Sequence, residues 1–277
     1  MTDILGYLGP TGTFTEEAAM EYCKDRDLML KTYSSIYEVV IALENGDIDE
    51  GIVPAENSLE GVVTITLDLL SRESPFKIKG ELQCIIRHAL LAPQGEKLSN
   101  IMEVYSHPQA LSQCRHFLQK SLPRASLVNA PSTAGAAEMV SVNGRGKAAV
   151  ASSRNADLYG LEVLKEDIQD EPGANKTRFF VISNEDAPVT GDDKTSLLFS
   201  VEDKPGSLYS ALGIFASYNL NLTMIASRPI RGELGKYVFF IDFDGHRRDE
   251  KVKGALNELQ NVSLFVKVLG SYPRNQN

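Results

Sequence analysis

Two short segments place charged or amide side chains inside otherwise apolar runs. In Ile52-Val53-Pro54-Ala55-Glu56-Asn57-Ser58, a carboxylate and an amide follow a strand-like stretch and precede Gly61. In Asn175-Lys176-Thr177-Arg178-Phe179-Phe180-Val181-Ile182, a Thr-Arg pair opens a very apolar strand. Burial shifts pKa values and strengthens hydrogen bonds, which is what acid–base and electrostatic catalysis need. The same placement also suits a structural salt bridge between Glu56 and Arg178, and residue type leaves that choice open. A second set recurs where a strand-like run meets a helix-like one: Thr11 and Thr13, Asn57 and Ser58, Ser106, and Ser132 with Thr133. Helix N-termini carry unsatisfied N–H groups and partial positive charge, so several converging on one cleft bind an anion without needing many Lys or Arg. Each hydroxyl could instead be only an N-cap, worth about 1 kcal/mol to its helix. The case for a small carboxylated ligand rests on their number and on their place at strand C-terminal ends.

The elements that must position these residues alternate as in an α/β architecture up to about Ile182. Ile4–Leu8 reads as a strand, and Thr13 with Glu16 as a capping box opening a helix over Glu17–Cys23. Ser35 and Glu38 repeat the device, Asn45-Gly46 stops that helix, and Gly51–Val53 is the next strand. Val104–Ser106 leads into a helix with Pro108 in its first turn, and Ser132-Thr133 heads another before the strand Ala148–Ala151. Gly6-Tyr7-Leu8-Gly9-Pro10-Thr11-Gly12 lacks the GxGxxG spacing, so a dinucleotide is not expected. Residues 184–194 are polar, acidic and broken by Pro and Gly, and read as a linker after a region spanning 1–183. Beyond it come strand Thr195–Val201, helix Pro205–Tyr218, strands Leu222–Pro229 and Lys236–Phe243, helix Glu250–Leu259 and strand Leu264–Leu269. That βαββαβ order is ferredoxin-like.

Composition narrows the function. The 277 residues hold 28 basic and 37 acidic side chains, a net charge of −9, with no basic cluster, so neither nucleic acid nor an anionic membrane is an expected partner. No stretch approaches the ~20 apolar residues of a membrane span, and Met1–Gly6 has no basic leader; a cytoplasmic protein is expected. Three cysteines in no CxxC pair suit a reducing compartment, and four scattered histidines suggest no metal.

The motifs resemble those of the prephenate dehydratases. The matching stretches are Gly9-Pro10-Thr11-Gly12-Thr13-Phe14, Pro54-Ala55-Glu56-Asn57-Ser58 with Gly61-Val62-Val63 and Thr66-Leu67-Asp68, Ser106-His107-Pro108-Gln109-Ala110-Leu111 with Gln113-Cys114, Ser132-Thr133-Ala134, Tyr159-Gly160-Leu161 and Asn175-Lys176-Thr177-Arg178-Phe179. Residues 195–277 are similar to an ACT domain. The resemblance implies a two-lobed catalytic region like the type II periplasmic binding proteins, with the chain crossing between lobes near 80 (Lys79–Glu81) and near 159 (Asp157–Leu161), followed by the ACT module. It implies cofactor-free conversion of prephenate to phenylpyruvate, CO2 and water, with Thr177, Glu56, Asn57 and Gln109 as catalytic groups. Thr13, Ser58, Ser106, Thr133, Arg178 and Phe179 would contact substrate, although Phe179 also suits core packing. L-Phenylalanine would bind at Gly206, Ser207, Leu208 and Tyr209 and at Ala226, Ser227, Arg228 and Pro229. Here Ser207 and Tyr209 depart from the family's Gly-Ala-Leu-Val, and Ala226 replaces the acid of Glu-Ser-Arg-Pro. The alternative is that Gly206 is only a helix cap and Arg228 only an edge charge. Pairing of ACT modules implies a homodimer or homotetramer. Arogenate dehydratase and a non-catalytic carboxylate sensor remain alternatives.

Overall fold

Strand β1 (Asp3–Leu8) runs into helix α1 (Phe14–Cys23), with Thr13 accepting from the Glu16 N–H at 3.3 Å as its N-cap, in a computed structural model that describes residues 2–72, 75–229 and 237–274. Glu16 leaves the capping box half made. Its carboxylate accepts instead from the Gly12 N–H and the Tyr7 hydroxyl and pairs with Arg154. Strand β2 (Leu28–Tyr33) and helix α2 (Ile36–Asn45) follow, the helix capped by Ser35 and stopped by Gly46 at φ 76°, a conformation natural to glycine. Next come β3 (Glu50–Asn57), β4 (Gly61–Val62), α3 (Thr64–Leu70) and β5 (Lys77–Ile85). No helix begins at Asn57 or Ser58. The Asn57 carbonyl oxygen accepts from the N–H groups of Leu59 and Glu60, making a turn, and α3 starts later without a side-chain cap.

The second lobe holds β6 (Ala89–Pro93), β7 (Glu103–Ser106), α4 (Pro108–Gln113), α5 (Arg115–Ser121), β8 (Ser126–Asn129), α6 (Thr133–Asn143), β9 (Lys147–Ala151), α7 (Arg154–Tyr159) and β10 (Leu161–Lys165). Its sheet runs β10-β6-β9-β7-β8. The chain then returns as β11 (Lys176–Ser183), antiparallel between β3 and β5, completing a first-lobe sheet of order β2-β1-β3-β11-β5 with β4 on β3. The crossings therefore lie at 86–88 and 166–175, not near 80 and 159. Residues 79–81 are locked mid-strand in the β5–β11 ladder, and Leu161 already pairs with Pro93 of β6.

The C-terminal module is β12 (Asp193–Ser200), α8 (Ser207–Ser217), β13 (Leu222–Pro229), β14 (Tyr237–Asp244), α9 (Glu250–Val262) and β15 (Phe265–Pro273), an antiparallel sheet ordered β13-β14-β12-β15. Lys236, expected to open β14, lies outside the described residues. This module is welded to the first lobe. Ile78 and Phe180 share one buried cluster with Leu198, Phe240, Leu269 and Tyr272. A Cβ on Gly270 would meet the Ile78 carbonyl oxygen at 2.1 Å, so only glycine lets β15 approach β5 this closely. The segment expected as a linker is docked as well: Ala187 is buried in that cluster, and Asp186 pairs with Lys77 and Arg247.

Candidate active site

Between the lobes lies a cleft of about 280 Å³, near the small end of ligand sites at roughly 300–1,000 Å³ and suited to a single substituted ring. The first lobe contributes Leu8, Thr13, Phe14, Pro54, Asn57, Thr177 and Phe179; the second contributes His107, Gln109, Gln113, Ser132 and Thr133. His88 and Asn175 come from the two crossings. Among the described residues, no Asp, Glu, Lys or Arg lines it. What it offers an anion instead is the N-terminal turns of α1, α4 and α6, the first and third capped by Thr13 and Ser132.

Strand alternation decides which predicted residues reach the cleft. Asn57 of β3 faces Thr177 of β11 across the ladder, and Glu56 faces Arg178. Successive side chains on a strand point to opposite faces, so only one of these two pairs can line the cleft. It is Asn57 and Thr177. After Arg178 the register slips by one at Ala55, which sets Phe179 opposite Pro54. Phe179 thereby forms the cleft floor while packing beneath it against the buried cluster of Leu5, Tyr7 and Ala18.

A directional hydrogen-bond chain runs through the site. Because the Asn57 carbonyl oxygen is taken by two backbone N–H groups, its amide nitrogen must donate, to the Asn175 carbonyl oxygen at 2.7 Å and to Thr177 Oγ1 at 2.9 Å. Asn175 in turn donates to Gln113 Oε1 at 2.8 Å, and His88 Nε2, 3.1 Å from the same oxygen, must also carry a proton and donate. Two consequences follow at the cleft. Thr177 accepts from the protein, so its own O–H proton is left for a ligand. Gln113 Nε2 is a buried donor and His88 Nδ1 a buried acceptor, neither with a protein partner. Burial also pushes the His88 imidazole below its ordinary pKa, partly countered by Gln113, which keeps the ring neutral at pH 7.

Four predicted cleft residues lie elsewhere. Arg178 points out of the back of the first-lobe sheet, donating to Glu81 at 2.6 Å, Asp242 at 2.5 Å and the Tyr272 hydroxyl at 3.0 Å. Glu56 shares that back face and does not line the cleft. Arg178 thus finds other carboxylates than Glu56. Ser58 ties the turn after β3 to the second crossing, donating to the Ala174 carbonyl and accepting from the Lys176 N–H. Ser106 is wholly buried and donates to the Val150 carbonyl across the sheet, while the N-cap of α4 is His107.

Sequence reasoning missed Gln113, Asn175 and His88. Gln113 sits one helical turn beyond Gln109 and so shares its face, a spacing that could have found it. Nothing local marks His88. Burial pushes the Cys84 and Cys114 thiols up to about 11 and about 12, so neither is poised as a nucleophile.

In the C-terminal module Gly206, at φ 86°, precedes α8, and Ser207 and Leu208 line a cavity of about 170 Å³ with Val201, Tyr237, Phe239 and Leu264. Tyr209 is 82% exposed and turned away from it. Ala226, Ser227 and Pro229 lie on β13 outside that cavity, and the Arg228 guanidinium is held by Asp68 of α3 at 3.0 Å.

Comparison with known proteins agrees with this layout. Residues 5–187 match the prephenate dehydratase family model and residues 195–261 the ACT domain model. The chain is 44% identical over 270 residues to the bifunctional chorismate mutase/prephenate dehydratase of Aquifex aeolicus, covering 98% of this chain and 73% of that one. It is 38% identical to the prephenate dehydratase of Lactococcus lactis, covering 97% and 96%. The crystal structure of Arthrobacter aurescens prephenate dehydratase in complex with L-Phe superposes with a TM-score of 0.90 at 38% identity, covering 98% of this chain and 90% of that one. A neutral two-lobed cleft fused to a ferredoxin-like module, with these matches along nearly its whole length, makes this chain a member of the prephenate dehydratase family with a C-terminal ACT domain.

Proposed function

We propose that the cleft converts prephenate to phenylpyruvate, CO2 and water without a cofactor, and that L-phenylalanine at the ACT module inhibits it. The observation that carries this reading is the orientation of Thr177. Prephenate bears a carboxylate and a pyruvyl group at one ring carbon and a hydroxyl at the opposite one. The electron pair of the breaking C–CO2 bond moves through the ring and expels the hydroxyl, which needs one proton to leave as water. Thr177, with its oxygen already occupied by the Asn57 amide, has its proton free to donate to that departing oxygen. Threonine is too weak an acid to give up the proton outright, so it polarises the leaving group or relays a proton from water. The carboxylates would meet the N-terminal turns of α1 and α6, the Gln109 side chain and the unpartnered Gln113 amide, with Thr13 and Thr133 alongside. A site without formal charge suits decarboxylation, since neutral CO2 needs less solvation than a carboxylate.

In this reading residues 1–183 form the catalytic region and 195–277 the regulatory one, acting in the cytoplasm as a homodimer or homotetramer. The test is phenylpyruvate formation by the purified protein from prephenate at neutral pH, with and without L-phenylalanine, with arogenate as the competing substrate. Rapid turnover of prephenate, suppressed by L-phenylalanine, is expected. Preference for arogenate would reassign the substrate, and turnover of neither would leave a carboxylate sensor.

A further inference from the structure

Thr177 and Arg178 are neighbours on β11 that face opposite ways. The first lines the cleft; the second is buried between the first lobe and the C-terminal module. Around Arg178 the polar partners come mainly from that module: Asp242 on β14 at 2.5 Å, Tyr272 on β15 at 3.0 Å and the Met224 sulfur on β13 at 3.6 Å, with Glu81 of β5 the catalytic-lobe contribution. The cluster is closed by Ser196 of β12, which donates to Asp242 at 2.5 Å and lies 2.6 Å from the Tyr272 hydroxyl, and by Lys194, which donates to Glu81 at 2.8 Å. Two basic side chains face two carboxyl groups, and their hydrogen bonds are all made only while both halves keep their register.

The same strands run on to the small cavity of the module. Ser200 and Val201 follow Ser196 on or just past β12, Phe239 precedes Asp242 on β14, and Leu264 immediately precedes β15. Four residues of strand span about 13 Å, and the ladder between β12 and β14 is unbroken from Lys194 to Phe199. A ligand that shifts the cavity walls therefore acts on the strands that hold Asp242, Ser196 and Tyr272. Buried, hydrogen-bonded charge pairs tolerate discrete rearrangement rather than gradual stretching, because a half-broken pair leaves an uncompensated charge.

We propose that Arg178 is the positioning residue through which occupancy of the C-terminal module reaches Thr177, with Asp242 and Tyr272 as the module's grip on it. The inference rests on the proposed function for its two ligands. Coupling between two sites is a free energy, so binding and response must be measured separately.

The experiment uses the full chain and three proteins: wild type, Tyr272→Phe and Arg178→Lys. Tyr272→Phe keeps the ring in the core and removes one hydroxyl; Arg178→Lys keeps the charge and loses the fork. For each, kcat and KM for prephenate are measured from zero to saturating L-phenylalanine, and L-phenylalanine binding is measured by calorimetry. Tyr272→Phe is expected to bind L-phenylalanine within about twofold of wild type and to retain uninhibited kcat within about threefold. Its residual activity at saturation should rise at least fivefold, and Arg178→Lys, where folded, should show the larger rise. Undiminished maximal inhibition in Tyr272→Phe with binding intact would overturn the proposal. So would loss of inhibition that merely tracks lost binding. A wild type that turns over no prephenate, or ignores L-phenylalanine, would instead overturn the functional reading beneath it.

Discussion

The two faces of strand β11 are built from opposite chemistries. On the cleft side every lining group among the described residues is formally neutral, and two buried polar atoms, on Gln113 and His88, have no protein partner. On the other side Arg178, Glu81, Asp242 and Lys194 are buried and paired with one another. Desolvation alone would raise the Glu81 carboxyl, but Arg178 and Lys194 outweigh it and hold it below the ordinary range. A buried charge already neutralised by protein has nothing left to offer a ligand, whereas an unpaired amide has. The face with less charge is the one prepared to bind an anion.

The largest effect expected from this contrast is at Thr177. Thr177→Ala should lower kcat about 10³-fold with KM changed only severalfold, since positioned acid catalysis is worth roughly 10²–10⁴. Thr177→Ser should recover most of the loss. Steady-state kinetics on both variants decides it, and a Thr177→Ala protein turning over prephenate like wild type would remove Thr177 from the mechanism. Next is Arg178→Met, expected to cost about 3 kcal/mol of stability by stranding Glu81 and Asp242. Urea denaturation checks this, and a variant of wild-type stability with a greatly raised KM would return Arg178 to the substrate. Third is Asn57→Asp, which exchanges a donor for an acceptor and turns the Thr177 proton inward. It should lower kcat about 10²-fold, the scale of removing one oriented donor, whereas unchanged kcat would show that this orientation does not matter.

The same strand explains what could be read from residue types alone. Thr13, Asn57, Gln109, Thr133, Thr177 and Phe179 all line one cleft, and caps, strand ends and motif order are local signals that single them out. Assigning Glu56 beside Asn57, and Arg178 beside Thr177, overlooked the alternation of a strand that has a populated surface on both sides. That second surface was invisible because it is made by β5 and the C-terminal module, 97 and 64 residues away from Arg178 along the chain for Glu81 and Asp242. The crossings were misplaced for a related reason. Lys79–Glu81, where the resemblance put the first crossing, are held inside β5, their side chains meeting Glu50, Glu185 and the Arg178 cluster. The βαββαβ order was legible because the spacing of apolar residues switches between strand and helix periods along this stretch.

The smallest expected effect separates the two faces by pH. The folded state disfavours protonated His88, so as pH falls through about 6.5 the unfolded chain binds a proton that the folded chain does not, and stability falls with it. Glu81 has the opposite intrinsic charge but the same direction of pH dependence. Its depressed folded pKa makes its contribution fully present above the unfolded value near 4.5 and lost only as pH drops below that. Acid should therefore loosen the cleft before it loosens the back of the sheet. Thermal melts of wild type, His88→Gln and Glu81→Gln from pH 8 to pH 3.5 would resolve the two windows. His88→Gln should reduce the loss between pH 7 and pH 5 and leave the lower window intact. Glu81→Gln should be less stable throughout the neutral range and flatten the lower window alone. If His88→Gln leaves the upper window unchanged, the imidazole is already paired in solution, and the cleft holds one fewer waiting group than its geometry displays.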